Sequence, residues 1–325
     1  MTAPRLDQIV AAQQVLSGVC LATPVLPLTS ARWEGVLPPC KSATVKLELF
    51  QQAGSFKARG AFLGIAGLCE DERHAGVVAA SGGNHALAVS WAARAAGVDA
   101  LICMPHATDP ARIAGCEALG ARVTLHDDMA AAFSAMSDAA AAGRTLMHPF
   151  EAVHMILGAA TCGAEYAAQA PHADTFVIPI GGGGLISGMA CAIKAMRPDA
   201  RVIGVEPRGA DSMRRSFAAD APVQLDRVAT IADSLGAPMA MPMTYQVARA
   251  HVDEIVLIDD DAMCNAMALY QDVLRITAEP ACAASLAAIT GPLRDTLAER
   301  HVAIIACGSN ISLGRYTDLM AGSER

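Results

Sequence analysis

Lys57 stands in Gly54-Ser55-Phe56-Lys57-Ala58-Arg59-Gly60, between the apolar segments Leu47-Glu48-Leu49-Phe50 and Ala61-Phe62-Leu63-Gly64-Ile65. A lysine held partly out of water has its ammonium form disfavoured. Its pKa falls, and a neutral amine becomes available to a carbonyl partner. Taken alone, the stretch also reads as a helix-start lysine reaching solvent, so the case rests on the rest of the chain.

Three glycine-rich turns supply it. Ser81-Gly82-Gly83-Asn84-His85 falls between a strand pattern and a helix pattern, where bare backbone N–H groups and a helix N-terminus can seat a carboxylate or phosphate. A tight turn capped by Asn84 explains that stretch equally well. Gly181-Gly182-Gly183-Gly184-Leu185 repeats the arrangement. Four glycines cost about 0.5–1 kcal/mol each relative to alanine, so a plain turn has little use for them, whereas a phosphate pressed against backbone does. The run lacks the Lys-Ser/Thr of a nucleotide P-loop and the spacing of a dinucleotide fingerprint. Ala306-Cys307-Gly308-Ser309-Asn310 ends the last strand pattern, where ligands bind in open α/β sheets. Cys307 there is either a weak donor to a ligand or a buried thiol. One lysine and three bare turns point to a phosphate-bearing aldehyde, pyridoxal 5′-phosphate, joined to the amine.

The elements that must position these residues alternate. Short apolar runs at 76–80, 101–104, 121–125, 175–180, 201–206, 255–258 and 302–306 predict strands. Helical spacing is expected at 6–16, 57–69, 84–96, 110–119, 130–142, 156–170, 185–196, 260–275 and 279–289. A strand is also expected at 44–48 and a polar connection between 206 and 255. The fold class is α/β: two open, mostly parallel sheet domains with helices on both faces. A large domain is expected over 1–72 and 150–325, and a small one over 73–149.

Composition agrees. The chain has 325 residues, 53% hydrophobic but only 4% aromatic, which suits close helix-on-sheet packing rather than base stacking. Its net charge of −8 and lack of a basic run exclude nucleic acid and anionic membrane as partners. Ten scattered cysteines without a CxxC read as reduced core thiols. The Met1 to Asp7 stretch lacks a signal peptide's apolar core and no run is long enough to span a membrane, so a cytoplasmic protein is expected.

The chain resembles the fold-type II pyridoxal-phosphate enzymes, whose architecture is that of the tryptophan synthase β chain, and among them the serine/threonine dehydratases and serine racemases. Ser55 to Ala61 is similar to S-F-K-x-R-G-A, Ser81 to His85 to S-x-G-N-H, Gly181 to Leu185 to G-G-G-G-L, Ala278-Glu279-Pro280 to the A-E-P of A-E-P-S-G-A, and Cys307 to Asn310 to C-G-G-S-N. The resemblance runs from about 16 to 313. It implies that Lys57 is the Schiff-base lysine and catalytic base. It implies cofactor contacts from Phe56, Asn84, Gly181, Gly182, Gly183, Gly184, Leu185, Glu279 and Cys307. A substrate seat is implied at Ser81, Gly82, Gly83, Asn84 and His85, and a homodimer as the assembly.

Several departures bear on the reaction. Racemases carry a serine where this chain has Gly82, so racemisation is not expected. The family's divalent-metal positions fall at Glu206, Ala210 and Ser212, where one carboxylate is missing. A monovalent ion such as K+ suits Glu206 and Ala210 better than Mg2+. The amide of the family's G-Q-G-T is absent from Gly158-Ala159-Ala160-Thr161, which is expected to widen the substrate side of the pocket. With the chain ending soon after Leu313, feedback control by isoleucine through an appended regulatory domain is not expected.

The expected activity is a lyase reaction. A β-hydroxy-α-amino acid, of serine or threonine type or a bulkier aryl-serine, loses water and yields a 2-oxo acid and ammonia. A thiol at Cys307, rather than a carboxylate, favours prompt elimination over transamination. The alternatives are a racemase or β-replacement enzyme of the same fold, and a non-catalytic protein that binds the cofactor.

Overall fold

The computed structural model describes residues 3–322; Met1 and Thr2, at the head of the N-terminal stretch read above, lie outside them. Ten strands form: β1 Val25–Pro27, β2 Ser42–Lys46, β3 Val77–Ala80, β4 Ala100–Pro105, β5 Arg122–His126, β6 Thr145–Leu146, β7 Thr175–Pro179, β8 Arg201–Pro207, β9 Glu254–Ile258 and β10 His301–Ile305. The α-helices are α1 Leu6–Leu16, α2 Lys57–Ala66, α3 Glu70–Ala75, α4 Asn84–Ala96, α5 Pro110–Ala118, α6 Met129–Ala141, α7 Val153–Gln169, α8 Gly184–Met196, α9 Ser212–Ala219, α10 Pro242–His251, α11 Asp260–Leu269, α12 Pro280–Thr290 and α13 Leu313–Gly322.

They make two sheets. The larger has the order β1-β2-β10-β7-β8-β9, parallel except that β1 runs antiparallel to β2; the smaller has the order β5-β4-β3-β6 and is parallel throughout. Every residue of β3 and of β7 is buried, as parallel strands covered by helices on both faces require. Among the described residues no helix is long and apolar enough to cross a membrane, and all ten cysteines are free.

Four local expectations are corrected. Residues 25–27, for which no strand is predicted, pair as an edge strand, a place where Pro27 leaves no central ladder bond unmade. The helix opening at Lys57 stops at Ala66 rather than near Cys69. A separate α3 then starts, with the Cys69 N–H donating to Glu72 Oε2 at 2.9 Å. The helix expected over 260–275 ends at Leu269. It passes into a π-helical turn, Tyr270–Leu274, that closes on Arg275 at φ 59°. The polar connection before β9 contains α9 and α10.

Small residues let the helices approach closely. A Cβ on Gly158 of α7 would lie 2.3 Å from the Gly60 nitrogen of α2, and one on Gly188 of α8 would lie 2.2 Å from the Ile156 carbonyl of α7. The helix that begins at Lys57 is thereby pressed onto α7, and α7 onto α8.

Beneath α2 lies a buried polar network. Arg59 donates to both oxygens of Glu48, at 2.9 and 2.7 Å, and to Glu165 at 3.1 and 3.2 Å. Lys46 donates to Glu165, to the Thr23 carbonyl at 2.8 Å and to Gln169 at 2.8 Å. Two cations thus meet two carboxylates. Burial pushes the Glu48 carboxyl up, but the Arg59 charge and hydrogen bonds, then Lys46 and Thr23, hold it below the usual value. Its contribution is present above the ordinary carboxylate range and is lost as pH falls through the depressed value. Removing one partner leaves a buried charge unpaired, at a cost of about 3–5 kcal/mol. Arg59→Met is therefore expected to lower the urea-unfolding free energy at pH 7 by about that amount, with a smaller loss for Arg59→Lys; a loss under about 1 kcal/mol would show that the network is not coupled.

Candidate active site

The turn before α2 is stitched to the turn after β10. Ser55 bridges Gly308, the Phe56 N–H donates to the Cys307 carbonyl at 3.1 Å, and the Ser309 N–H donates to the Gly54 carbonyl at 3.1 Å. The turn at the start of α4 joins them through its side chain. Asn84 Nδ2 donates to Glu279 Oε1 at 2.6 Å and to Ser234 Oγ at 3.2 Å, while Asn310 Nδ2 donates to Asn84 Oδ1 at 2.7 Å. The tetraglycine turn closes the group from the far side. A Cβ on Gly182 would meet the Phe150 ring at 2.4 Å, and the neighbouring Pro149 carbonyl accepts from Lys57 Nζ at 2.8 Å. Four turns separated in the chain therefore surround one amine.

That amine is unusual in what surrounds it. Lys57 Nζ lies 5.2 Å from the centre of the Phe56 ring and is bonded to a neutral carbonyl. Burial pulls its pKa down to about 8, against the smaller upward pull of Cys307 and Glu279. Burial likewise raises the Glu279 carboxyl, against the pull of Arg112 and the Asn84 hydrogen bond, and holds the Cys307 thiol well above its ordinary value. The nearby histidines do not add charge. Burial, then Lys57, depresses His148 to about 4 and His85 well below its usual value, and burial brings His154 to about 4.

The other residues singled out from the sequence fall as follows. Ser81 Oγ accepts from the Gly83 N–H at 3.1 Å, and Gly82 and Gly83 precede the first turn of α4. The His85 imidazole turns away, with Nε2 bonded to the Met147 carbonyl at 2.8 Å, so that its backbone remains at the helix start. Gly183 takes φ 88°, a conformation glycine adopts readily, and α8 begins at Gly184. Leu185 is buried in the core of the larger sheet. Cys307 is buried with Sγ 3.7 Å from the Ala281 carbonyl.

One expectation fails. Ala159 does not face the pocket: it is buried, and its Cβ lies 2.6 Å from where a Cβ on Gly188 would be, so the missing amide belongs to the α7–α8 interface. At the proposed ion position, Glu206 Oε1 and Oε2 accept from the N–H groups of Met213 and Arg214, both at 2.8 Å. Burial raises its carboxyl to about 8 against those two donors. Ala210 is buried nearby in the chain, and no group of three or more His, Cys, Asp or Glu able to hold a metal occurs among the described residues.

Sequence reasoning missed Ser234, Asn310, Pro149 and Phe150 as members of the group. Asn310 lay inside a quoted motif without a role. Ser234 sits in the segment read as a polar connection, and a contact through the carbonyl of Pro149 leaves no side-chain signal.

Comparison with known proteins gives the same direction. Residues 20–308 match the family described as pyridoxal-phosphate dependent enzyme. The phenylserine dehydratase of Ralstonia pickettii is 41% identical over 97% of this chain and 96% of its own. The catabolic L-threonine dehydratase of Escherichia coli K12 is 33% identical over 97% and 95%. The structure of maize serine racemase superposes with a TM-score of 0.91 at 33% identity, covering 99% of this chain and 98% of that one.

The residues present fit the group named in that family description. The tetraglycine turn presents backbone without side chains at the start of a helix, suited to a phosphate. Ser55 Oγ and Glu279 Oε2 are buried with no hydrogen-bond partner, so the site retains polar capacity for a ligand. In the cofactor-free protein, Lys57 is expected to react with a small carbonyl reagent at a rate that rises through a midpoint near pH 8, because the neutral amine is the reactive form. Glu279→Gln removes an upward pull and lowers the midpoint further. A midpoint near that of a free lysine, about 10.4, would contradict the geometry.

Proposed function

The chain belongs to the pyridoxal-phosphate-dependent enzymes, in the fold-type II serine/threonine dehydratase group, and on that premise we propose that it is an ammonia-lyase. Its reaction converts a β-hydroxy-α-amino acid to a 2-oxo acid and ammonia by elimination of water. The observation that carries this reading is the amine of Lys57, depressed to about 8 by burial and enclosed by the four turns. When bound, pyridoxal phosphate withdraws electrons from the substrate Cα and makes its proton removable.

The chain's own residues supply the rest. Gly181 to Gly184 offer backbone N–H groups to the phosphate, and Phe56, Asn84, Leu185, Glu279 and Cys307 border the remainder. Ser81, Gly82, Gly83, Asn84 and His85, at the start of α4, receive the substrate carboxylate through backbone and the positive end of the helix. The Cα proton passes to Lys57 Nζ as general base. The β-hydroxyl leaves as water, taking up one proton in place of the one removed from Cα, and hydrolysis of the unsaturated amine releases the 2-oxo acid and ammonia. Cys307, kept neutral by burial, offers a thiol where a carboxylate would place charge.

An aromatic side chain on the substrate is favoured by the wall beside Lys57. His148 meets the Phe150 ring edge-on at 4.9 Å and lies 6.3 Å from Phe133, and all three rings are part-buried. An aryl group can extend such a cluster. The large domain, 1–72 and 150–325, holds the cofactor and the small one, 73–149, carries the substrate turn. The enzyme works as a cytoplasmic homodimer, with K+ at Glu206 and Ala210.

The test is a ketoacid and ammonia assay over serine, threonine, hydroxyaspartate and phenylserine, with K+ and Mg2+ varied separately. Equal yields of ketoacid and ammonia are expected, with phenylserine turned over fastest. Lys57→Ala is expected to lose at least about 10²–10⁴-fold in rate; full activity in that variant would defeat the reading.

A further inference from the structure

We propose that Thr108, in the connection between β4 and α5, is an additional ligand of the substrate carboxylate, completing from the side the seat that the Ser81–His85 turn forms. This rests on the role given to that turn in the proposed function.

Thr108 Oγ1 is buried and has no hydrogen-bond partner, although a hydroxyl can donate one bond and accept two. An unmade buried bond of that kind costs stability and is retained where a ligand completes it. The hydroxyl faces the turn: a Cβ on Gly82 would lie 2.7 Å from Thr108 Oγ1 and 3.4 Å from Cγ2. The polar atom of the side chain is therefore the nearer one, where packing alone would be served by a methyl. Gly82 is bare at the point where Thr108 occupies side-chain space.

The surroundings select an anion. Arg112, in the first turn of α5, donates from Nη1 to the Gly82 carbonyl at 3.2 Å and from Nε to the Asn310 carbonyl at 3.0 Å. Its contact with Asp233 is long, 3.5 Å, to a carboxylate that is 68% exposed and so well screened. A guanidinium thus stands beside the turn, its Nη1 3.7 Å from where a Gly83 Cβ would be, with the carboxylates of Glu279 and Asp109 also in its field. By holding the Gly82 carbonyl on its own side, Arg112 keeps that acceptor off the seat. The positive end of α4 adds to the field. Of the groups on an amino acid, the carboxylate is the anion that this environment favours, and Thr108 O–H donates to one of its oxygens. A hydrogen bond to a charged acceptor is among the stronger ones.

The test titrates the holoenzyme by calorimetry with a non-eliminating ligand, phenylalanine, and with phenylalaninol, in which the carboxylate is reduced. If threonine is the substrate turned over, the pair is 2-aminobutyrate and 2-amino-1-butanol. Thr108→Val, nearly isosteric, is expected to weaken the carboxylate ligand by about ten-fold or more and to leave the amino alcohol unchanged. Thr108→Ser, which restores the hydroxyl, is expected to recover affinity to within about two-fold. Unaltered cofactor absorbance in each variant reports that the site is still folded. Thr108→Val binding the carboxylate ligand as tightly as the wild type, or losing both ligands equally, would overturn the proposal while leaving the lyase reading intact. A wild-type protein that binds neither ligand would overturn both.

Discussion

An amine can be taken out of water with a carboxylate for its partner or with a neutral acceptor, and this chain does both within one segment. Lys46 is fully buried and Lys57 part-buried. Lys46 is paired with Glu165, whereas Lys57 has a neutral carbonyl, that of Pro149, for its partner. Arg59, two residues beyond Lys57, takes both oxygens of Glu48 and shares Glu165, whereas the carboxylate that acts on Lys57 is Glu279, whose Oε1 is held by Asn84. The charge network thereby supports the helix that carries the amine.

Close packing of backbone does the complementary work of bringing distant segments to that amine. Glycine and alanine at the α2–α7 and α7–α8 contacts remove the side-chain volume that would hold the helices apart. The stitch between residues 54–56 and 307–309 fixes the lysine turn against the end of β10. Ligands in open α/β folds bind at the carboxyl ends of strands because bare turns and helix N-termini gather there. Here Asn84, at the start of α4, reaches across to Glu279, Ser234 and Asn310 and ties the smaller sheet's turn to the larger sheet's.

Much of this was legible in the residues. Fully buried parallel strands leave continuous apolar runs, so β3, β7 and β10 stood out, and the glycine clusters marked three turns that close on Lys57. The legibility fails where the determinant is not a local pattern. Edge strand β1 is only three residues long and ends in proline. Helices α9 and α10 lie in a segment of mixed polarity, and the π-helical turn after α11 is set by tertiary packing. The role expected for Ala159 failed because a missing side chain says nothing of which face it was missing from. Thr108 gave no sign at all, since the burial of its hydroxyl and that hydroxyl's lack of a partner exist only once β4 and α4 are assembled.

The account turns on which nitrogen carries the cofactor. Borohydride reduction of the purified holoenzyme, followed by proteolysis and mass spectrometry, would fix the pyridoxyl group to one lysine. The group is predicted on the peptide containing Lys57; recovery of it on Lys41, Lys46 or Lys194, or on none, would contradict the central claim.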